Sequence, residues 1–258
     1  MKVQRYGWIP DLPNRPGEEG GDRVFAPRAM RLAPSANLDP SLLPPIFNQG
    51  NIGSCTGAST GRGSIMYLIA KEGQPRNLMS ALFVYFNGRV LEGTEKSDSG
   101  AQIRDVLKGV IRYGVCAESL CPYVETAFSV KPTDRAYRDA AFTVIDSYER
   151  ITESGGARLA HAKSAIAEGW PINLGFSVYE SFESREVAQT GIMPMPLGSE
   201  AVIGGHAVWT WAYDDSRGFR IRNSWGADWG IGGDFWMPYD YFANDGLVTD
   251  LWVPKSVT

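Results

Sequence analysis

The sequence predicts an α+β fold in which a mainly helical lobe precedes a β-rich lobe. The clearest helical pattern is the apolar face formed by Ile103, Val106, Leu107, Val110 and Ile111. After residue 172, apolar or alternating runs are separated by turn signals, which is typical of strands. The 29 glycines and 16 prolines among 258 residues favour many turns over a helical bundle. Helices first and strands later indicate segregated α and β layers.

The chain begins with a segment that is too rich in proline for helix formation. We interpret residues 1–40 as an extended arm with one short strand near Arg23–Pro27. A regulatory role of this arm is a hypothesis. Residues 41–253 are predicted to form the folded domain.

Five helices are predicted from periodicity and end signals, and the third is expected to end at the glycine in position 114. They are Cys55–Ala70, Ser80–Leu91, about 103–113, Thr133–Ala141 and Ala157–Glu168. Five strands are predicted after them. They are Ile172–Val178, His206–Tyr213, Phe219–Asn223, Asp234–Met237 and Leu247–Val253.

Composition and charge exclude several classes of partner. The net charge is −4, and no Lys/Arg cluster of the kind that follows phosphates is present, so nucleic acid is not an expected partner. No apolar run approaches the roughly 18 residues of a membrane span, and no signal segment is visible at the start. We therefore expect no membrane partner, a cytoplasmic location by default, and a monomer.

The three cysteines are Cys55, Cys116 and Cys121. A low and odd number of cysteines argues against a framework held together by disulfide bonds. A local bridge between Cys116 and Cys121 stays open beside the alternative of two reduced thiols.

Cys55 follows a glycine-rich loop and opens the first predicted helix. The unpaired N–H groups and the partial positive charge at a helix start stabilise an anion there. A thiolate is such an anion, and a neighbouring imidazolium lowers a thiol pKa further. Cys55 is therefore a candidate nucleophile, although this pattern alone fits a packing cysteine equally well.

The two histidines differ in their surroundings. His161 falls inside an ordinary amphipathic helix, which is typical of a surface or boundary residue. His206 follows Gly204 and Gly205 and precedes an apolar run. Paired glycines allow close approach of another chain or a ligand. This makes His206 the candidate catalytic histidine, on a pattern that is weak by itself.

Three segments taken together resemble the papain-like cysteine peptidases. They are Gln49 with Cys55, Gly-His-Ala-Val at 205–208 and Asn-Ser-Trp-Gly at 223–226. The histidine and the asparagine lie 151 and 168 residues after the cysteine, slightly beyond the roughly 130–150 of the family's signature. Residues 43–50 and 53–56 look most like the bacterial and archaeal branch of the family.

The resemblance implies a two-lobed, papain-like fold with the active site in the cleft between the lobes. The helical lobe would comprise mainly residues 50–125, and a barrel-like β-lobe mainly residues 126–253. The implied activity is that of a cysteine endopeptidase acting on proteins or peptides. No cofactor and no metal are expected.

Residue roles follow from the same resemblance. The thiolate of Cys55 would attack the peptide carbonyl to form an acyl-enzyme, with His206 as acid and base. Asn223 would orient His206, and Gln49 would donate to the oxyanion. Trp225 would shield the contact between His206 and Asn223 from water, or simply pack in the core.

The predicted substrate-binding residues are Trp225, Ser99, Gly100 and Gly205, because Ser99 and Gly100 stand where the family pairs backbone with substrate. Thr56 departs from the tryptophan that animal and plant members usually carry. The helical pro-segment of the family is not recognisable in residues 1–48. One hypothesis is that the arm occupies the cleft instead. The alternative is that it packs against the back of the lobes.

Three other functions fit the sequence less well than peptide hydrolysis. A binding module on the same fold would lack a catalytic residue, and all four are present. A transferase acting on amines usually orients its histidine with an aspartate, whereas this chain offers Asn223. A metal site at Cys55 and His206 lacks further clustered ligands.

Overall fold

The structure, a computed structural model, describes residues 5–12, 23–75 and 77–257. Residues 1–4 and 13–22 of the predicted arm lie outside this description. The described chain has the predicted α+β architecture, with three long helices in its first half and most strands in its second half. In the described part, no helix is both long and apolar enough to cross a membrane.

The helix that begins at Cys55 runs without interruption to residue 71. It comprises α1 (Cys55–Gly57), a π-helical stretch (Ala58–Ile65) and α2 (Met66–Lys71). Its small residues allow close packing on both sides. A Cβ on Gly57 would lie 2.5 Å from the carbonyl oxygen of Ala81, and one on Gly63 would lie 2.5 Å from Nε1 of Trp209. The helix is thereby held between the helical lobe and the sheet.

Helices α3 (Ala81–Glu92) and α4 (Ile103–Tyr113) pack side by side and complete the helical lobe. The Ser80 hydroxyl accepts a hydrogen bond from the Phe83 amide and caps α3 at its start. Four members of the predicted apolar face of α4 are buried. The fifth, Ile111, is 42% exposed, because it lies at the edge of that face. Gly114 follows α4 with a φ of 74°, as its predicted place at the helix end requires.

Four further α-helices lie along the rest of the described chain. Two of them, α5 (Asp134–Ala140) and α6 (Gly155–Ala167), match the predictions within two residues at each end. The other two, α7 (Arg185–Thr190) and α8 (Tyr239–Ala243), are too short to show periodicity and were not predicted.

Seven strands form an open path in the order β1-β3-β8-β4-β5-β6-β7, with β2 paired to β5. Among the described residues the sheet does not close, so the β-lobe, which was expected to be barrel-like, is an open sheet. The predicted strand near Arg23–Pro27 is the two-residue β1. The strands are β1 (Arg23–Val24), β2 (Ser35–Asn37), β3 (Tyr148–Ile151), β4 (Ile172–Tyr179), β5 (Val202–Asp214), β6 (Gly218–Arg222), β7 (Asp234–Met237) and β8 (Val248–Pro254).

Strand β5 is the element that brings the two lobes together. It pairs with β4 and β6 along its length, and α1 and the π-helical stretch pack against it. Its inner residues, including His206, Val208 and Trp209, are buried. A residue in the middle of β5 therefore faces the start of α1, where Cys55 lies.

Candidate active site

Cys55 is the first residue of α1 and is completely buried. Its Sγ accepts a hydrogen bond from the Ala207 amide at 3.4 Å, and the Gly7 amide of the arm also acts to lower the pKa of the thiol. Burial raises the pKa of the Cys55 thiol to about 11, and these backbone donors only partly oppose that rise. With the arm in place, the thiol is neutral.

His206 lies on β5 and is also completely buried. Its Nε2–H donates to Oδ1 of Asn223 at 2.8 Å, and the same oxygen accepts the Ser224 amide at 2.8 Å, which fixes the orientation of the asparagine amide. The Trp225 ring stacks on the imidazole, with centroids 5.0 Å apart and planes 24° apart. Burial lowers the pKa of His206 to about 4, although its bond to Asn223 acts in the opposite direction.

The Cys55 sulfur contacts the strand that carries His206 where α1 packs on β5. The amide that contacts Sγ belongs to Ala207, the residue directly after His206. The second ring nitrogen, Nδ1, is buried and has no hydrogen-bond partner among the described residues. The predicted triad of Cys55, His206 and Asn223 is thus brought together in space, with one ring nitrogen held and the other available for the thiol proton.

Gln49 reaches the same place from the loop before α1. Its Nε2 donates to the carbonyl oxygens of Ile52 at 3.0 Å and of Arg5 at 3.2 Å. Its Oε1 accepts the Ser224 hydroxyl at 2.6 Å, and its backbone amide donates to the Ser224 carbonyl at 2.9 Å. Ser224 therefore holds the side-chain amide in one orientation. Sequence reasoning named the motif that contains Ser224 but assigned it no role.

The loop before α4 forms the other wall of the cleft. Asp98 accepts the Gly53 amide at 2.9 Å and the Tyr85 hydroxyl at 2.7 Å, which links this loop to the one that delivers Cys55. A Cβ on Gly100 would lie 2.2 Å from the Gly7 carbonyl oxygen, so Gly100 lies directly against the arm, and its role in binding substrate stays a prediction. The hydroxyl of Ser99 donates to the Gly100 carbonyl of its own loop.

Residues 5–12 of the arm run through the cleft itself. The Trp8 amide donates to the carbonyl of Gly205 at 3.0 Å. On the opposite wall, Ala101 donates to Gly7 at 2.8 Å and accepts from Ile9 at 3.1 Å. Gly205 is thus a backbone partner for a chain in the cleft. Ala101 has the same function and was missed, because backbone pairing leaves no signature in side-chain identity.

Hydrogen bonds hold residues 5–12 of the arm in place at both ends. The Tyr6 hydroxyl donates to Glu183, and the Tyr6 ring lies edge-on to His206 with centroids 6.0 Å apart. At the other end, Asp11 accepts the Trp252 indole N–H at 2.7 Å and donates its amide to Asp250 at 2.8 Å. The arm therefore covers the thiol and the imidazole and shields them from water. In the part of the chain described here, no cluster of three or more His, Cys, Asp or Glu side chains suits a metal ion.

Comparison with known proteins places this geometry in a family. The model of the papain family cysteine proteases matches residues 37–250. An uncharacterized peptidase C1-like protein of Acanthamoeba polyphaga mimivirus is 37% identical over 244 residues, covering 87% of this chain and 78% of that protein.

Solved structures agree. Xylellain, a cysteine protease from Xylella fastidiosa, superposes with a TM-score of 0.88 at 36% identity, covering 100% of this chain and 99% of that one. A digestive procathepsin L 3 from Tenebrio molitor shares the fold at a TM-score of 0.72 and 18% identity, covering 91% of this chain and 73% of that one. The chain belongs to the papain family and is a cysteine peptidase.

Proposed function

We propose that this peptidase cleaves peptide bonds through a covalent acyl-enzyme on Cys55, with His206 as its acid and base. The observation that supports this most directly is the packing of α1 on β5. It places the residue after His206 on the Cys55 sulfur at 3.4 Å, while Asn223 holds the far side of the ring at 2.8 Å. A nucleophile, a base and an orienting group in this relation suit acyl transfer.

In the proposed reaction, the Cys55 proton passes to Nδ1 of His206 and the sulfur bonds to the substrate carbonyl carbon. The carbonyl oxygen becomes an oxyanion, which the Gln49 side-chain amide and the Cys55 amide stabilise. When the C–N bond breaks, His206 returns its proton to the leaving amine. Water then adds to the thioester, with His206 as base, and releases the acid and the thiol.

An epoxide inhibitor that alkylates thiols tests the nucleophile. We expect one adduct, on Cys55, in the full chain carrying Trp8→Gly to loosen the arm, and no adduct when His206→Ala is added. Cys116 is buried and Cys121 is partly buried, and they serve as internal controls. Equal labelling of either control, or labelling of Cys55 that ignores His206, would contradict the proposal.

We also propose that the arm keeps the peptidase latent. The group of the arm that lies on the Cys55 sulfur is the Gly7 N–H, a hydrogen-bond donor that the thiol cannot attack. The Arg5 carbonyl bonds to the Gln49 amide, the donor assigned to the oxyanion. The arm thus occupies groups of the cleft that a substrate would use, and in this way it blocks substrates while it stays docked.

The latency should depend on pH through Asp11. Burial, together with the facing carboxylate of Asp250, raises the pKa of Asp11 to about 7, while the Trp252 indole and Arg104 act against the rise. The Arg150 guanidinium forms an ion pair with Oδ1 of Asp250. The docked arm therefore binds a proton that the free arm, with an ordinary pKa of about 4, releases. Docking is tightest below pH 4 and weakens as the pH rises towards 7.

The measurement is the pH profile of peptide hydrolysis for the full chain and for Asp11→Asn. Dividing one profile by the other removes the titration of the catalytic groups, which both proteins share. We expect the ratio of wild type to variant to rise between pH 4 and pH 7. A flat ratio, or one that falls with pH, would refute the role of Asp11.

A further inference from the structure

The two oxyanion donors proposed above stand at opposite ends of one short loop. Gln49 begins the loop, and Cys55 follows it as the first residue of α1. Residues 49–54 form no helix or strand, and Gly50 turns the chain with a φ of 67°. No regular backbone pattern therefore fixes the separation of the two donors. An oxyanion site depends on that separation, because both donors must reach one oxygen at about 2.7–3.1 Å.

The side chain of Tyr123 bonds to both ends of this loop. Its hydroxyl donates to the Gln49 carbonyl at 2.7 Å. The same phenol oxygen contacts the hydroxyl of Ser54, the residue directly before Cys55. A phenol has a single proton, and the Gln49 carbonyl accepts it, so the Ser54 hydroxyl is the donor in the second bond. Tyr123 thus links the backbone of one donor residue to the neighbour of the other.

The orientation of Ser54 is independent evidence for this link. Ser54 holds the N-cap position of α1, where a serine hydroxyl ordinarily accepts an amide of the first helical turn. In the described chain, its side chain accepts no such bond. The residue is completely buried, and its hydroxyl is turned to Tyr123. The bond to Tyr123 therefore takes the place of the usual helix cap.

Tyr123 is itself held in place by groups outside the loop. Its amide donates to the Glu118 carboxylate at 2.7 Å. The Phe47 ring packs edge-on against the phenol ring, with centroids 4.8 Å apart and planes 89° apart. Burial raises the pKa of the Tyr123 hydroxyl, so the group keeps its proton and remains a donor at neutral pH. The hydroxyl is therefore a fixed point to which both ends of the loop are attached.

We propose that Tyr123 is a positioning residue of the peptidase, whose hydroxyl holds the two oxyanion donors at the separation that the tetrahedral intermediate requires. The inference rests on the proposed function and adds a residue to it. Tyr123 acts through Gln49 and Cys55 and not on the reacting atoms. Its role differs from that of Ser224, which fixes the direction of the Gln49 side chain.

Loss of the Tyr123 hydroxyl should affect the transition state more than the bound substrate. Negative charge on the substrate oxygen develops only in the transition state, so misplaced donors lower kcat and leave KM nearly unchanged. Both donors are still present without the hydroxyl. The loss in kcat should therefore be about tenfold, below the roughly 10²–10³ that follows deletion of a whole donor.

The test compares Tyr123→Phe with Tyr137→Phe, both in the full chain carrying Trp8→Gly. Phenylalanine at position 123 keeps the packing on Phe47 and removes only the hydroxyl. Tyr137 is a matched control, because it is also partly buried and its hydroxyl donates to Asn87 on α3 at 2.9 Å. On a fluorogenic peptide, we expect kcat to fall about tenfold in Tyr123→Phe and to stay unchanged in Tyr137→Phe.

Alkylation of Cys55 by chloroacetamide separates the oxyanion donors from the nucleophile. The sulfur bonds to the methylene carbon as chloride leaves, and no oxyanion forms in this reaction. We therefore expect Cys55 of Tyr123→Phe to be alkylated at the rate of the parent, as measured by mass spectrometry of the adduct. Equal falls in alkylation and hydrolysis would show that the hydroxyl supports the fold or the thiol, and would overturn the proposal.

Two further variants complete the design. Tyr123 acts in part through Gln49, so Tyr123→Phe should lower kcat by a smaller factor in the Gln49→Ala protein than in the parent. Ser54→Ala removes one of the two bonds to the hydroxyl and should lower kcat by less than Tyr123→Phe does. If Tyr123→Phe does not fold, Ser54→Ala decides, because a kcat equal to that of the parent would contradict the link between the two ends of the loop.

The outcomes separate this inference from the proposed function. Full kcat in a folded Tyr123→Phe protein, or additive losses in its combination with Gln49→Ala, would remove Tyr123 from the oxyanion site and leave the peptidase mechanism standing. Absence of peptide hydrolysis in the Trp8→Gly parent, with Cys55 still open to alkylation, would refute the proposed function and the positioning role with it.

Discussion

Replacing Trp8 by glycine should raise the peptide-hydrolysing activity of the full chain by on the order of 10²-fold or more. Among residues 5–12 of the arm, Trp8 is the most deeply buried large side chain, at 9% exposure, and its indole also bonds to Asp250. Loss of such a side chain typically costs about 3–5 kcal/mol. Here the lost free energy weakens docking of the arm, because Trp8 packs against the cleft and is not part of either lobe.

The matched control lies four residues further along the arm. The Leu12 side chain is 57% exposed, and the bonds recorded for this residue are made by its backbone, so Leu12→Ala should leave the arm docked. Two rates are compared: the initial rate on a fluorogenic peptide and the rate of epoxide labelling at Cys55. Both should rise in Trp8→Gly, and neither should rise in Leu12→Ala. Unchanged rates in a folded Trp8→Gly protein would show that the arm only packs and does not inhibit.

Replacing Gln49 by alanine should lower kcat by about 10²–10³, the usual effect of losing one oxyanion donor. The side-chain amide is buried and held on one side by Ser224, so it is already oriented before substrate arrives. Such a preorganised donor acts on charge that appears only in the transition state. KM should therefore change little, and the comparison is best made in the Trp8→Gly background, where the arm no longer competes.

Two neighbours sharpen this test. Asn51 lies on the same loop, is exposed and bonds to Glu125 outside the cleft, so Asn51→Ala should leave kcat unchanged. Ser224→Ala frees the Gln49 amide to rotate and should give a smaller loss than Gln49→Ala, because the donor is still present. Equal kcat in Gln49→Ala and the parent would remove Gln49 from the oxyanion site.

Much of the fold was predictable because its signals are local. The buried stripe of α4 follows from the spacing of Ile103, Val106, Leu107 and Val110, and the glycine after it follows from the backbone geometry of a helix end. Short elements such as α7 and the two-residue β1 were hard to predict or escaped prediction, since a few residues cannot display a period. Closure of the sheet depends on pairing between distant strands, which periodicity does not encode.

The sequence by itself determined the family and supplied the proposed catalytic side chains, because Gln49, Cys55, His206 and Asn223 stand in recognisable motifs. Only the tertiary structure decided what lies against them. Ala101 and Gly205 bind the arm through backbone groups that every residue carries. Asp250 accepts the Trp8 indole N–H because the pairing of β8 with β4 places this carboxylate beneath the arm. The same packing seats the arm over Cys55, where burial raises the pKa of the thiol and lowers the pKa of the imidazole.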